Sequence, residues 1–184
     1  MSIFKTALTF SAAAYIVSLG LSSMVVSSDD ADAEDFVYSS DLAVALGRAN
    51  VPIYWSSKNQ DARNVCSKVK FAGLTDTHKV GSLGDGSFTY IIICEDRVPD
   101  VDNLLSLIRH EAVHVAQFCD SRTLGFLGPL GLKQEYITDY ARKIATSGYY
   151  TGGNIQLELE AYTIGQWDEA QVARLVDDHC NKPN

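Results

Sequence analysis

Ile108-Arg109-His110-Glu111-Ala112-Val113-His114-Val115-Ala116-Gln117 is the stretch on which the reading of this chain turns. It contains no Gly or Pro. Leu104, Leu105 and Leu107 precede it and Phe118 follows, so apolar residues cover most of the circumference of the helix it predicts. Such a helix runs through a core rather than across a surface, with Asp102 as its expected N-cap. Two histidines and a carboxylate inside it are costly to bury unless something satisfies them. His110 and His114, four residues apart, share one helix face and can grip one ion. Glu111 stands beside that face, in reach of a water on the metal without being a ligand. A single histidine on an apolar helix is more often a core residue than a ligand. The full His-Glu-x-x-His spacing in apolar surroundings points instead to a zinc hydrolase, with Glu111 as general base.

Outward from this helix, Phe88–Cys94 is the strongest strand signal, because Thr89-Tyr90-Ile91-Ile92-Ile93 is β-branched or aromatic throughout. A loop over Glu95–Val101 carries it into the helix. Val51–Trp55 also reads as a strand, confined by Pro52 to an edge or a strand start. Val65, Val69 and Phe71 alternate with polar neighbours and predict a half-buried strand over Val65–Phe71. Gly81–Gly86 reads as a turn. Helices are expected over Asp41–Arg48 with Asp41 as cap, over Lys133–Ser147, over Gln156–Ile164 closed by Gly165, and after Asp168 with Gln171 completing a capping box. Asp120–Gly131 and Gly148–Gly153 read as glycine-bearing breaks.

The first residues read differently. Lys5 is followed by Thr6–Val26 without a charged residue, then by Asp29, Asp30, Asp32, Glu34 and Asp35. A basic start, an apolar stretch and the small-residue site Ala31-Asp32-Ala33 predict a secretory signal peptide over residues 1–33, with one domain over residues 34–184. The stretch is also long enough for an uncleaved membrane anchor, and a buried core helix is a third reading. Without residues 1–33 the chain keeps 14 basic and 20 acidic side chains, a net charge of about −6. That balance excludes a nucleic-acid partner, which demands basic patches, and leaves membrane contact to the N-terminal segment alone. Cys66, Cys94, Cys119 and Cys180 form no Cys-x-x-Cys pair. An even count in an exported chain predicts two disulfides, against buried free thiols in a reducing compartment. Of the three pairings, 66–94 with 119–180 is expected: Cys66 and Cys94 fall on candidate neighbouring strands, and Cys119 and Cys180 each end a helix.

A catalytic zinc takes three protein ligands and an open position. Beyond His78 and His179, the third donor is sought in Gln156-Leu157-Glu158-Leu159-Glu160-Ala161-Tyr162. Two carboxylates in so apolar a helix need a reason, and little polar face remains for them to be ordinary surface residues. Residues two apart point about 200° from each other, so one of them at most faces the metal. Leu157, Ala161 and Ile164 form a stripe that leans toward Glu160; Ile155, Leu159 and Tyr162 form one that leans toward Glu158.

With these residues the chain resembles the zincin superfamily of metallopeptidases, and more narrowly the gluzincins, in which a Glu from a later helix completes a two-His site. Glu158-Leu159-Glu160-Ala161 looks like the Glu-x-x-Ala-Asp element of CAAX-processing-type zinc peptidases, with Tyr162 where the final Asp would stand. A thermolysin-like order would take Glu160 instead, but finds Ile164 in place of its Asp. The first alignment implies His110, His114 and Glu158 as zinc ligands and Glu111 as the catalytic base. It also implies a zincin-like α+β fold: a small twisted sheet packed on the His-Glu-x-x-His helix and a C-terminal helical part, the Phe88–Cys94 strand lying near the cleft. The activity implied is hydrolysis of a peptide or protein substrate by an exported enzyme. Tyr149, Tyr150 and His179 are candidate oxyanion donors, and Gln117 either orients a ligand or faces solvent. The rivals are a non-catalytic secreted module with a structural or vestigial metal site, and a hydrolase of something other than peptides.

Overall fold

Ser40 accepts from Ala43 N–H at 3.1 Å and so caps α1 (Asp41–Arg48); Asp41 is the first-turn residue rather than the cap. In the computed structural model of the protein the described residues are 40–69, 72–80, 86–120, 128–145 and 155–181. They all belong to one compact unit that begins at Asp32. The segment expected to be a signal peptide lies outside them. No described helix is long and apolar enough to cross a membrane.

The architecture is α+β. β1 (Ile53–Trp55) follows Pro52, whose carbonyl accepts from Ile91 N–H at 3.0 Å. The strand expected at Val65–Phe71 is not formed over its described residues, 65–69. A helix, α2 (Gln60–Cys66), occupies its first residues. Asn59 caps it by accepting from Ala62 N–H at 2.9 Å. Ala62 and Cys66, four apart on one face, are buried against Ile92 and Cys94. A capped turn with a buried i, i+4 pair thus outweighs the weak alternation. β2 (Gly73–Val80) was not expected; its stretch Thr75-Asp76-Thr77-His78-Lys79 carries no apolar alternation. It pairs antiparallel with β3 (Gly86–Ile93) over its whole length, from Gly73 opposite Ile93 to Val80 opposite Gly86. β1 joins the other edge of β3 in parallel, giving the order β1-β3-β2. As the central strand, β3 is buried on both faces. Ile91 and Ile93 enter the main core, and Ile92 and Cys94 face the α2 side. Each buried isoleucine contributes about 1.5–3 kcal/mol.

A 3-10 turn (Glu95–Arg97) leads into the 20-residue α3 (Val101–Asp120). Its cap is Asp100, not Asp102: Asn103 N–H donates to Asp100 Oδ1 at 2.8 Å. The helix is buried along much of its length, from Leu104 to Phe118, as its apolar circumference requires. The helix expected over Lys133–Ser147 is a 3-10 turn (Gln134–Tyr136) followed by the short α4 (Asp139–Ala145). Thr138 makes the break, its hydroxyl accepting from Ala141 N–H at 3.2 Å as a new cap. Tyr136 and Tyr140 are therefore exposed, while Ile137 and Ala141 are buried. α5 (Ile155–Ile164) and α6 (Glu169–Cys180) complete the fold, α6 opening with the expected Asp168–Gln171 capping box. Both pack against α3.

The disulfides are Cys66–Cys94 and Cys119–Cys180, with Cα atoms 5.5 and 4.9 Å apart. The pairing is the expected one, although Cys66 sits on a helix. The first ties α2 to the end of β3; the second ties the end of α3 to the end of α6. Both fit an oxidising environment.

Candidate metal centre

One turn of α3 separates His110 from His114, and their rings stand with centroids 4.8 Å apart. α5 crosses beside them and presents Glu158 from its first turn. Glu158 Oε2 lies 3.4 Å from His110 Nε2, and Oε1 lies 3.5 Å from His114 Nε2. One ligand atom from each residue lies within 4.8 Å of the others, so the three can hold a metal ion. The spacing suits one. Donors about 2.0–2.1 Å from a tetrahedral ion stand about 3.3–3.4 Å apart. Two further observations fit. Glu158 Oε2 and His110 Nδ1 are buried without a hydrogen-bond partner among the described residues. Such atoms are expensive in a protein interior unless an ion or water satisfies them.

Close approach of the two helices is built into the backbone. A Cβ at Gly165, just past α5, would stand 2.7 Å from the Ala161 carbonyl oxygen and 3.2 Å from His110 Cα. Arg109 Nε donates to the Gly165 carbonyl at 3.0 Å, tying α3 to the same point. The ring of Tyr162 lies against His110 with centroids 4.3 Å apart, and Tyr140 packs edge-on against Tyr162 at 6.2 Å.

Glu160 faces the other way. It has no exposed surface and accepts from Leu130 N–H at 2.7 Å, Gly131 N–H at 2.9 Å and Leu132 N–H at 2.9 Å. Gln117, also fully buried, donates from Nε2 to Glu160 Oε2 at 3.1 Å and to the Leu157 carbonyl at 3.0 Å. Its Oε1 lies 2.7 Å from His114 Nδ1. Gln117 therefore orients a candidate ligand and does not face solvent.

Burial opposes ionisation of Glu158, but the two imidazoles alongside outweigh it and hold the carboxyl down at about 2. Burial also works against protonation of His114. The contacts with Glu158, the Glu111 charge and Gln117 overcome it and raise the imidazole above its ordinary value.

Glu111 is 4% exposed and is not one of the three grouped donors. A Cβ at Gly73, the first residue of β2, would come within 3.2 Å of its Oε1 and 3.0 Å of Leu107 Cδ1, so the strand approaches this carboxylate through a missing side chain. A cavity of about 270 Å³ opens here, lined by Gly73, Leu107, His110, Glu111, Tyr140 and Tyr162 among others.

Other expected residues fall elsewhere. His179 Nδ1 is 3.0 Å from Asp120 Oδ1, in a pair outside the grouped donors. Tyr149 and Tyr150 lie outside the described residues, as does the side chain of His78, whose backbone is on β2. Sequence reasoning missed the Gln117–Glu160 link, Tyr162 against His110, and Gly73. Gln117 carried one signal, its place three residues after His114. Gly73 carried none, because its neighbours come from a distant helix. Searches of known protein families, of curated proteins and of solved structures find no match to this chain.

Proposed function

We propose that this chain is a zinc-dependent hydrolase of peptide bonds, built on a zincin-like plan and working in an oxidising, exported setting. The observation that carries the reading is the convergence of His110, His114 and Glu158 beside a cavity whose wall includes Glu111. Two imidazoles and one carboxylate are a donor set that zinc accepts, and three donors leave a position open, whereas a structural site takes four. Zinc bound there would supply Lewis acidity, lowering the pKa of water and polarising a carbonyl. Glu111, next in sequence to His110 but outside the donor group, would take a proton from the water as that water attacks the carbonyl carbon. The water oxygen bonds to the carbonyl carbon, the C–N bond then breaks, and Glu111 would return the proton to the leaving nitrogen, so water is consumed and one acid and one amine are formed. Tyr162 holds the His110 ring, and Gly73 leaves the space in which the Glu111 carboxylate sits. The acidic net charge supports a peptide or protein substrate over nucleic acid. The two disulfides support export, with residues 1–33 as the signal peptide.

Metal analysis of the mature protein, run beside a peptidase assay on a generic substrate mixture, tests this directly. One zinc per chain is expected. Glu111→Gln should keep the metal and lower hydrolysis by about 10²–10⁴-fold. Full activity in that variant, or a mature protein that takes up no zinc, would overturn the reading.

A further inference from the structure

We propose that Gln117 and Glu160 are positioning residues: anchored by the backbone of Leu130–Leu132, they hold the proton of neutral His114 on Nδ1 and turn a bare Nε2 toward Glu158. The consequence for metal binding rests on the zinc reading above; the proton placement does not.

The hydrogen-bond geometry carries the inference in three steps. Glu160 comes first. Three successive backbone N–H groups, from Leu130, Gly131 and Leu132, converge on its two oxygens at 2.7–2.9 Å. A carboxylate with that donor set is fixed in place as an acceptor. Second, the Gln117 amide has only one workable orientation. One end meets two acceptors, Glu160 Oε2 at 3.1 Å and the Leu157 carbonyl at 3.0 Å, so that end must be the NH₂ group. The reversed amide would set oxygen against two oxygens in a site with no exposed surface. Third, the Gln117 oxygen then faces His114 Nδ1 at 2.7 Å and can only accept, so Nδ1 carries hydrogen. A neutral imidazole has one N–H, and Nε2 is left with its lone pair free, 3.5 Å from Glu158 Oε1.

His110 is the internal contrast. Its Nδ1 has no hydrogen-bond partner among the described residues, so no side chain holds a proton there, and the Glu158 carboxylate stands 3.4 Å from its Nε2. The fold therefore prepares one of the two histidines through a relay that reaches the 130–132 segment, and gives the other no such relay on Nδ1. Position 162, where a supporting carboxylate would be expected, holds Tyr162. The supporting carboxylate comes from Glu160, by way of an amide.

The experiment is ¹⁵N NMR of the histidine rings in the metal-free protein, with the pH raised until the ring signals stop shifting, followed by zinc titration. His114 should show a protonated Nδ1 and an unprotonated Nε2, while His110 should show no such preference for hydrogen on Nδ1. In Gln117→Met, which keeps the bulk and removes both hydrogen-bonding ends, the His114 signature should collapse to a tautomer mixture. Zinc affinity should weaken by about 10–100-fold. A parent spectrum with His114 protonated on Nε2 overturns the proposal, whatever the variant does. So does a folded Gln117→Met with unchanged spectrum and affinity. If the tautomer is as stated but zinc does not bind, the metal reading fails and the proton placement stands.

Discussion

Glu158 and Glu160 stand two residues apart on one helix and have opposite surroundings. Glu160 accepts from three backbone N–H groups and an amide, so its charge is satisfied and the group has no freedom left. Glu158 faces two imidazoles whose nitrogens lie 3.4 and 3.5 Å away, and its Oε2 makes no hydrogen bond among the described residues. A buried carboxylate with a full set of donors serves the fold. One held against other electron-pair donors, short of hydrogen bonds, is shaped for a cation. Burial alone does not separate the two roles; the donor census does.

The largest expected effect breaks the comparison from the Glu160 side. Glu160→Gln removes the charge and replaces one acceptor oxygen with an NH₂ group aimed at backbone N–H donors. It should cost on the order of 3 kcal/mol in denaturant unfolding. Glu158→Gln should cost far less, yet should abolish zinc retention. If the stability losses come out equal, or if Glu160→Gln alone releases zinc, the assignment of the two acids is reversed.

A smaller effect is expected at Gly165, which decides whether the Glu158 face can reach α3. The atoms its missing Cβ would meet are backbone: the Ala161 carbonyl oxygen at 2.7 Å and His110 Cα and N at 3.2 and 3.3 Å. None is the flexible end of a side chain: the Ala161 contact strains the end of α5 itself, and the His110 contacts make Gly165→Ala push α3 away, together at a cost of about 1–3 kcal/mol. The displacement falls at His110, while the Glu160 donors lie on the other face of α5. Zinc affinity should therefore drop while the Gln117–His114 NMR signature survives. An alanine variant with parental zinc affinity would show that the helix contact is not what sets the site.

Sequence carried more of the site than of its surroundings. The spacing of His110, Glu111 and His114 and the apolar circumference of α3 were legible, because helix periodicity is local. The choice between Glu158 and Glu160 was not, since an all-round apolar helix has no preferred face. It is resolved by backbone donors at residues 130–132, about 30 positions away. The same distinction explains the fold. α6 announced itself through Asp168 and Gln171, whereas β2 exists by pairing with β3 and has almost no pattern of its own. α2 overrode a strand-like alternation through Asn59 and a buried contact with β3, and neither cost nor gain of that contact is written in residues 65–71.

The smallest expected effect sharpens the comparison through pH. Glu158 has a folded pKa lowered from 4.5 to about 2, so its contribution to stability is complete above 4.5 and is lost as pH falls toward 2. His114 is raised above 6.5, so its contribution is complete below 6.5 and is lost as pH rises through the folded value. The metal-free protein should therefore carry an extra stability of on the order of 1–2 kcal/mol, after allowance for screening, between about pH 4.5 and 6.5. That increment should vanish in Glu158→Gln, whose flat profile over this window isolates the pair. Zinc requires the imidazoles neutral, so adding it should move the stability maximum to higher pH. Denaturant midpoints across pH 4–9, with and without zinc, measure both curves. A metal-free profile that Glu158→Gln leaves unchanged would mean that the carboxylate and the imidazoles do not interact as the geometry requires.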